Sequence, residues 1–110
     1  MNKKSSNLVN KFASIDLGSN NCRLSIVDLE NETKRDILRF SRVLNLAKNL
    51  TYNNEFTEAT ISSAIKLFKI FEKKMKDFDV SNYRCVATQA CREAINAPML
   101  IEGIYKNTGI

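Results

Sequence analysis

The sequence has 110 residues, of which 44% are hydrophobic and 26% are charged, and it contains only 3 Gly and 1 Pro. This length supports one compact domain with a modest core, and the composition excludes a disordered, fibrous or linker-rich chain. The formal net charge of +5 is compatible with a polyanionic partner, although lysines concentrated on one helix more often form a solvated face.

The first half of the chain predicts three strands after a flexible N-terminal segment, residues 1–11. Residues 12–17 and 22–29 are apolar runs, and the turn Gly18-Ser19-Asn20-Asn21 between them predicts a tight hairpin. Residues 34–43 alternate between apolar and charged side chains, which predicts a third and more exposed strand.

A change of periodicity after an Asn-rich loop, residues 44–56, predicts the first helix. Thr57 is a candidate N-cap, and apolar residues then recur at spacings of three and four. This stripe consists of Ile61, Ile65, Phe68, Phe71, Met75 and Phe78. The lysines of the segment fall mostly off the stripe, so we expect them to face solvent.

The C-terminal third predicts a fourth strand over residues 83–87 and a short helix over 88–96. A last helix runs to about residue 107, with Asn96 as its cap and Gly109 as its stop. The resulting order, β-β-β-α-β-α-α, indicates a small α/β domain. A sheet of four strands leaves an edge bare, which favours a truncated domain over a dimer interface.

Cysteine and histidine content limits the possible chemistry. The chain has no histidine, and Cys22, Cys85 and Cys91 form no C-x-x-C pair. A zinc site and a Ser-His or Cys-His nucleophile are therefore not supported. We expect three reduced, buried thiols and a cytoplasmic protein. The chain has no apolar run long enough for a membrane span and no interleaving of aromatic and basic residues, so we expect neither a membrane nor a nucleic-acid partner.

The hairpin is the part of the sequence that most strongly indicates a binding or catalytic site. Asp16 lies near the end of a buried strand, and the turn after it is built from small and amide residues. Backbone N–H groups of such a turn can bind phosphate, and Gly18 removes a side chain that would block close approach. Asp16 could hold Mg²⁺ beside that phosphate. The alternative is a plain hairpin in which Asp16 caps turn amides, and the stretch itself does not decide between them.

Two stretches of the sequence resemble the Ppx/GppA phosphatase family, within the sugar kinase/Hsp70/actin superfamily. "IDLGSNNCRLSIVD" resembles the family's first phosphate motif, and "VATQACREAINAPMLIEGIYKNTGI" resembles its second conserved segment. "RVLNLAKNL" stands where the family has a segment before its long helix. The resemblance spans residues 12–110. It implies a ribonuclease H-like (actin-like ATPase) α/β lobe, the N-terminal part of the family's domain I.

The resemblance also implies roles for individual residues. Asp16 corresponds to the aspartate near the catalytic Mg²⁺. The loop that cradles a phosphate corresponds to Gly18, Ser19, Asn20 and Asn21, and Thr88 and Arg92 belong to the second segment. Arg92 would reach the active-site cleft, whereas Arg23 matches a family position inside a strand where it could be structural. Without the resemblance, Arg92 would be interpreted as a surface salt-bridge residue.

The implied activity is hydrolysis of a terminal phosphoanhydride bond in inorganic polyphosphate or guanosine pentaphosphate. The family's catalytic glutamate and second phosphate loop lie beyond a T-G-I like that of residues 108–110, so we expect the chain alone to be inactive. Asn21 and Cys22 also depart from the family's usual residues. The alternatives are a non-catalytic binding fragment, one half of a split enzyme with a missing second lobe, or a kinase-like relative. The second conserved segment argues against the kinase.

Overall fold

A computed structural model of the chain describes residues 10–30, 33–87 and 89–110. Its elements are strands β1 (Lys11–Leu17), β2 (Asn21–Glu30) and β3 (Thr33–Val43), helix α1 (Glu58–Asp77), strand β4 (Asn82–Ala87), and helices α2 (Gln89–Glu93) and α3 (Ala97–Thr108). The predicted β-β-β-α-β-α-α order is confirmed. Most of the predicted segment 1–11 lies outside the described residues, and Lys11 already belongs to β1.

The four strands form one mixed sheet in the order β3-β2-β1-β4. β1 pairs antiparallel with β2 and parallel with β4, and β2 pairs antiparallel with β3. A register irregularity lies between Ile26 and Val27 of β2. Because successive strand residues point to opposite faces, the sheet has one apolar face and one polar face.

The helices cover the apolar face of the sheet. Its buried residues are Ala13, Ile15, Leu17, Cys22, Leu24 and Ile26, and those of α1 include Ala64, Leu67, Phe68, Phe71 and Met75. The predicted stripe is thus confirmed for Phe68, Phe71 and Met75. Ile61, Ile65 and Phe78 are partly buried and pack against this core, and Ile61 and Ile65 also lie beside Gly103 of α3. Helix α1 therefore packs on two neighbours, and its buried surface is wider than a single stripe.

The helix ends follow two of the three capping predictions. The Thr57 hydroxyl accepts a hydrogen bond from the Thr60 N–H, at 3.1 Å, and begins α1. Gly109 adopts the left-handed conformation, with φ of 79°, and ends α3. Asn96 lies at the N-cap position of α3, as predicted, but its side chain does not cap the helix. That side chain makes no capping hydrogen bond, because it binds the backbone of Phe56.

The outer surface of α1 is polar, as predicted. Lys66, Lys69, Lys73 and Lys76 are exposed. Lys73 and Lys76 form ion pairs one helical turn away, with Asp77 at 3.5 Å and Glu72 at 3.6 Å. Among the described helices, none has the length and apolar character that would let it cross a bilayer.

The three cysteines differ in their environments. Cys22 and Cys91 are buried, as predicted, but Cys85 is exposed. Cys85 lies on β4 at the edge of the sheet, where it lines an open apolar cavity of about 210 Å³ with Leu17 and Phe68. The prediction of a third buried thiol is wrong because core packing is incomplete beside this edge strand.

Replacing Cys22 with alanine should make the free energy of unfolding fall less steeply with pH above pH 9. Burial, followed by the charges of Cys85 and Asp16, raises the pKa of the Cys22 thiol from 9.0 to about 12. The unfolded thiol therefore ionises first as the pH rises. The folded state should lose up to about 1.4 kcal/mol per pH unit between these two pKa values.

Urea unfolding at a series of pH values measures this slope. Tyr52→Phe, at a fully exposed position, should keep the slope of the parent chain. A slope for Cys22→Ala as steep as that of the parent would refute the assignment.

Candidate functional site

The turn between β1 and β2 is as tight as the sequence predicts. The Gly18 N–H donates to the carbonyl of Asn21 at 3.0 Å, which closes the turn around Ser19 and Asn20. A Cβ atom at Gly18 would lie 2.7 Å from that carbonyl oxygen. Glycine is therefore required here for backbone contact within the turn.

The loop after β3 binds the carbonyl oxygens of this turn. The N–H groups of Leu44 and Asn45 both donate to the Asn20 carbonyl at 2.8 Å, and the Ala47 N–H donates to the Ser19 carbonyl at 3.0 Å. Among the described residues, no acceptor lies in hydrogen-bond range of the Ser19 or Asn20 N–H. The turn thus uses its carbonyls for structure and keeps two donors available for an anion.

Asp16 lies on the polar face of the sheet, next to the turn. Its side chain is exposed, whereas its neighbours Ile15 and Leu17 are buried. Within residues 10–30, 33–87 and 89–110, it makes no hydrogen bond or ion pair. The capping of turn amides by Asp16, which the plain-hairpin alternative predicts, is therefore not observed among the described residues. The carboxylate remains available for a ligand.

The described residues contain no cluster of three or more acidic, cysteine or histidine side chains that could hold a metal. Mg²⁺, however, commonly binds through one or two carboxylates, keeps several waters and takes further ligands from substrate phosphates. Among the described residues, Asp16 is an unpaired carboxylate next to a turn whose Ser19 and Asn20 N–H groups have no acceptor. The donor set thus fits Mg²⁺ that arrives with a phosphate ligand, and it does not fit a tightly held structural metal.

Arg92 belongs to helix α2, which follows β4 directly. Leu17 of β1 and Ala87 of β4 are partners in the parallel register, so the turn after β1 and the start of α2 leave the same end of the sheet. Arg92 is exposed, and it forms no ion pair or hydrogen bond with another described residue. The interpretation as a salt-bridge residue is not supported. Thr88, the other predicted residue of this segment, lies outside the described residues.

The loop from Leu44 to Thr57 connects the turn with the α2–α3 region. At its far end the Phe56 N–H donates to the Asn96 side chain at 2.8 Å, and the Asn96 side chain donates back to the Phe56 carbonyl at 2.9 Å. The Ile95 N–H also donates to the Asn54 carbonyl at 3.0 Å. One loop therefore positions both predicted motifs, a role that the sequence analysis missed.

Known proteins match this chain both in sequence and in structure. A model of the Ppx/GppA phosphatase family matches residues 25–110. A bifunctional 3-dehydroquinate synthase/phosphatase of Fusobacterium nucleatum is 29% identical over 105 residues, which is 89% of this chain and 16% of that protein. A guanosine-5'-triphosphate,3'-diphosphate pyrophosphatase of Aliivibrio fischeri is 29% identical over 99 residues, covering 90% of this chain and 20% of its own length.

Solved structures match nearly the whole chain. A Ppx/GppA family member of Aquifex aeolicus superposes with a TM-score of 0.87 at 30% identity, over 91% of this chain and 33% of that one. An exopolyphosphatase from Cytophaga hutchinsonii superposes with a TM-score of 0.86 at 25% identity, over 91% of this chain and 32% of that one. The chain thus spans about a third of these structures and a fifth or less of the two relatives.

Replacing Asn96 with alanine should destabilise the fold by about 2 kcal/mol, because two hydrogen bonds to the Phe56 backbone are lost at about 1 kcal/mol each. Asn49→Ala is the matched control, since Asn49 is exposed and makes one long side-chain hydrogen bond, at 3.4 Å, to Leu44. Urea unfolding of both variants measures the difference. Equal stability of the two would show that the Asn96–Phe56 contact contributes little.

Replacing Gly18 with alanine should also cost about 2 kcal/mol, because the new Cβ would push the Asn21 carbonyl out of the turn. Gly103→Ala is the comparison. Its Cβ would meet only side-chain atoms of Ile65 and Ile61, the nearest being the end of the Ile65 side chain at 3.0 Å, and alanine favours the helix. The midpoint temperature of thermal unfolding should be clearly lower for Gly18→Ala than for Gly103→Ala. The reverse order would contradict the close approach at the turn.

Proposed function

Because the chain belongs to the Ppx/GppA phosphatase family, we propose that it forms the N-terminal lobe of a phosphatase. The complete enzyme would hydrolyse the terminal phosphoanhydride bond of inorganic polyphosphate or of guanosine pentaphosphate. The observation that carries this proposal is the turn at residues 18–21. Its carbonyls are bound by the following loop, and its free N–H groups lie beside the unpaired carboxylate of Asp16.

The turn binds the phosphate in this proposal. The free N–H groups of Ser19 and Asn20 donate hydrogen bonds to phosphate oxygens, and Gly18 leaves the approach open. The side chains of Ser19, Asn20 and Asn21 supply additional donors, and Thr88 is proposed as a further phosphate ligand. Because the loop already holds the turn carbonyls, these donors are oriented before the substrate arrives. Preorganised donors of this kind favour charge that develops during the reaction.

Asp16 is the proposed ligand of Mg²⁺, or of a water bound to it. When bound, the metal would neutralise phosphate charge and lower the barrier to attack by water. Asp16 suits this position because it is exposed, has no partner among the described residues and lies one residue from Leu17, where β1 ends. Because Asp16 is part of the paired strand β1, its backbone is held at a constant distance from the turn.

Arg92 is the proposed stabiliser of the transferring phosphate. A guanidinium binds phosphate oxygens through two parallel N–H donors and offsets the negative charge that develops on them. Arg92 is available because it is exposed and has no partner among the described residues. None of the proposed site residues serves as the general base, so a glutamate outside these 110 residues would activate the water.

The chain by itself is therefore expected to be inactive. It covers a fifth or less of the two curated relatives and about a third of the solved structures. A second candidate function keeps the phosphate site without catalysis: the chain binds phosphate chains, or it pairs with a separately encoded second half. A reducing, cytoplasmic compartment suits either candidate, because the three cysteines are free thiols.

The size of the native polypeptide separates the two candidates. An antibody raised against the chain would detect it in an extract of the source cells. A band several times heavier than 12.5 kDa supports one lobe of a complete phosphatase. A band near 12.5 kDa supports the binding role or the split enzyme.

Replacing Arg92 with alanine in the complete phosphatase that contains this lobe should lower kcat for phosphate release by about a hundredfold. A loss of this size is expected when one transition-state donor is removed. Arg92→Lys should recover part of the loss because it restores charge without the two-pronged geometry. Arg35→Ala is the matched control, because Arg35 is exposed on β3 and, among the described residues, pairs with Asp28 alone, at 3.6 Å. Full activity of Arg92→Ala would refute the assignment, and phosphate release by the 110-residue chain alone would refute its inactivity.

A further inference from the structure

The loop after β3 contains a residue whose backbone conformation is unfavourable for most amino acids. Asn45 has a φ of 52°, in the left-handed region, which favours glycine and tolerates asparagine better than most residues. The residue is half-buried, and its side chain makes no hydrogen bond with another described residue. Asn45 therefore contributes to the structure through the course of its backbone and not through a side-chain contact.

The left-handed turn at Asn45 lies between two contacts of the loop with the hairpin. Before it, the Asn45 N–H donates to the Asn20 carbonyl at 2.8 Å, and after it the Ala47 N–H donates to the Ser19 carbonyl at 3.0 Å. Leu46, between the two contacts, is fully buried in the core. Rotation about the N–Cα bond of Asn45 sets the direction of the chain from the first contact to the second. The second contact therefore depends on the left-handed φ.

This second contact determines where one N–H donor of the turn points. The Ser19 carbonyl and the Asn20 N–H belong to one planar peptide unit, and in a trans unit these two groups point in opposite directions. The Ala47 N–H holds the carbonyl on the side of the loop. The Asn20 N–H is thus directed away from the loop, and no described residue accepts a hydrogen bond from it.

We infer that Asn45 is a positioning residue for the phosphate site: its left-handed backbone places the Ala47 N–H on the Ser19 carbonyl and so directs the Asn20 N–H toward the phosphate. This inference rests on the proposed function and adds to it a residue that acts through the turn. A residue that avoids the left-handed region would move Ala47 away from Ser19. The peptide unit between Ser19 and Asn20 would then be free to rotate, and its donor would no longer be oriented before the ligand arrives.

Binding of inorganic tripolyphosphate to the 110-residue chain tests this role without requiring activity. Asn45→Gly keeps the left-handed backbone accessible, so it should bind the probe like the parent. Asn45→Val strongly disfavours that backbone, and it should bind about tenfold more weakly than Asn45→Gly, as expected when one charge-assisted hydrogen bond is lost. Equal affinities of the two variants would overturn the inference.

Asp79 provides the matched control, because it also has a left-handed backbone, with a φ of 55°. It precedes β4, whose first residue, Asn82, pairs with Phe12 at the end of β1 away from the turn. Asp79→Gly and Asp79→Val carry the same charge as each other and differ, like the Asn45 pair, in access to the left-handed region. Their affinities for tripolyphosphate should agree within about twofold. A loss for Asp79→Val as large as that for Asn45→Val would overturn the inference, because backbone strain anywhere in the chain would then weaken binding.

NMR titration with tripolyphosphate locates the change within the turn. In the parent chain the amide resonances of Ser19 and Asn20 should both shift. In Asn45→Val the Asn20 shift should be smaller, whereas Ser19 should still respond, because its N–H belongs to the preceding peptide unit, which the Ala47 contact does not hold. An Asn20 shift equal to that of the parent would overturn the inference.

Asn45→Ala serves as the test if the valine variant does not fold, because alanine is not β-branched and strains the left-handed backbone less. It should bind tripolyphosphate about threefold more weakly than Asn45→Gly. Affinity equal to that of Asn45→Gly would overturn the inference.

The outcomes also separate this inference from the proposed function. If the parent and every Asn45 variant bind tripolyphosphate alike, with the same shift at Asn20, the turn keeps its phosphate role and the role of Asn45 is refuted. If the parent does not bind the probe, or binds it without a shift at Asn20, the phosphate role of the turn and the inference both fail. Weaker binding that is confined to the strained Asn45 variants supports the assignment.

Discussion

Three backbone hydrogen bonds to the Ser19 and Asn20 carbonyls determine much of this structure. They join the first hairpin to the loop after β3, and that loop in turn binds the connection between α2 and α3. A tight turn alone would present carbonyls and N–H groups together, which suits neither an anion nor a cation. Because the loop takes the carbonyls, the N–H groups of Ser19 and Asn20 are left without an acceptor among the described residues, as the proposed phosphate site requires.

The two faces of the sheet differ in role: one packs into the core, and the other carries exposed charged side chains. Ile15 and Leu17 anchor β1 in the core, and Asp16 between them is exposed as a consequence of strand alternation. Arg23 follows the same rule on β2, between the buried Cys22 and Leu24. Rigid packing on one face thus holds charged side chains in register on the other, without a buried charge and its desolvation cost.

Local sequence patterns were sufficient to predict the element order, the hairpin, the Thr57 cap and the Gly109 stop, because each depends on neighbouring residues. The family and the mixed α/β sheet are likewise confirmed. Two predictions that depend on distant contacts were wrong in whole or in part. Asn96 lies at the start of α3, but its side chain binds Phe56, 40 residues away, in preference to its own helix, and Cys85 is exposed because it lies on an edge strand. The roles of Asp16, Arg92 and the turn residues stay predictions, since they depend on a ligand.

The two-residue connection between Gly18 and Asn21 also limits how this segment can change. In the antiparallel register Leu17 faces Cys22 and Asp16 faces Arg23. Inserting a single residue would shift β2 by one position, which moves every side chain of a strand to the opposite face. Cys22, Leu24 and Ile26 would then point to water, and Arg23 would point into the core. The chemistry of the turn can therefore vary by substitution, while its length is fixed by the packing of the hairpin behind it.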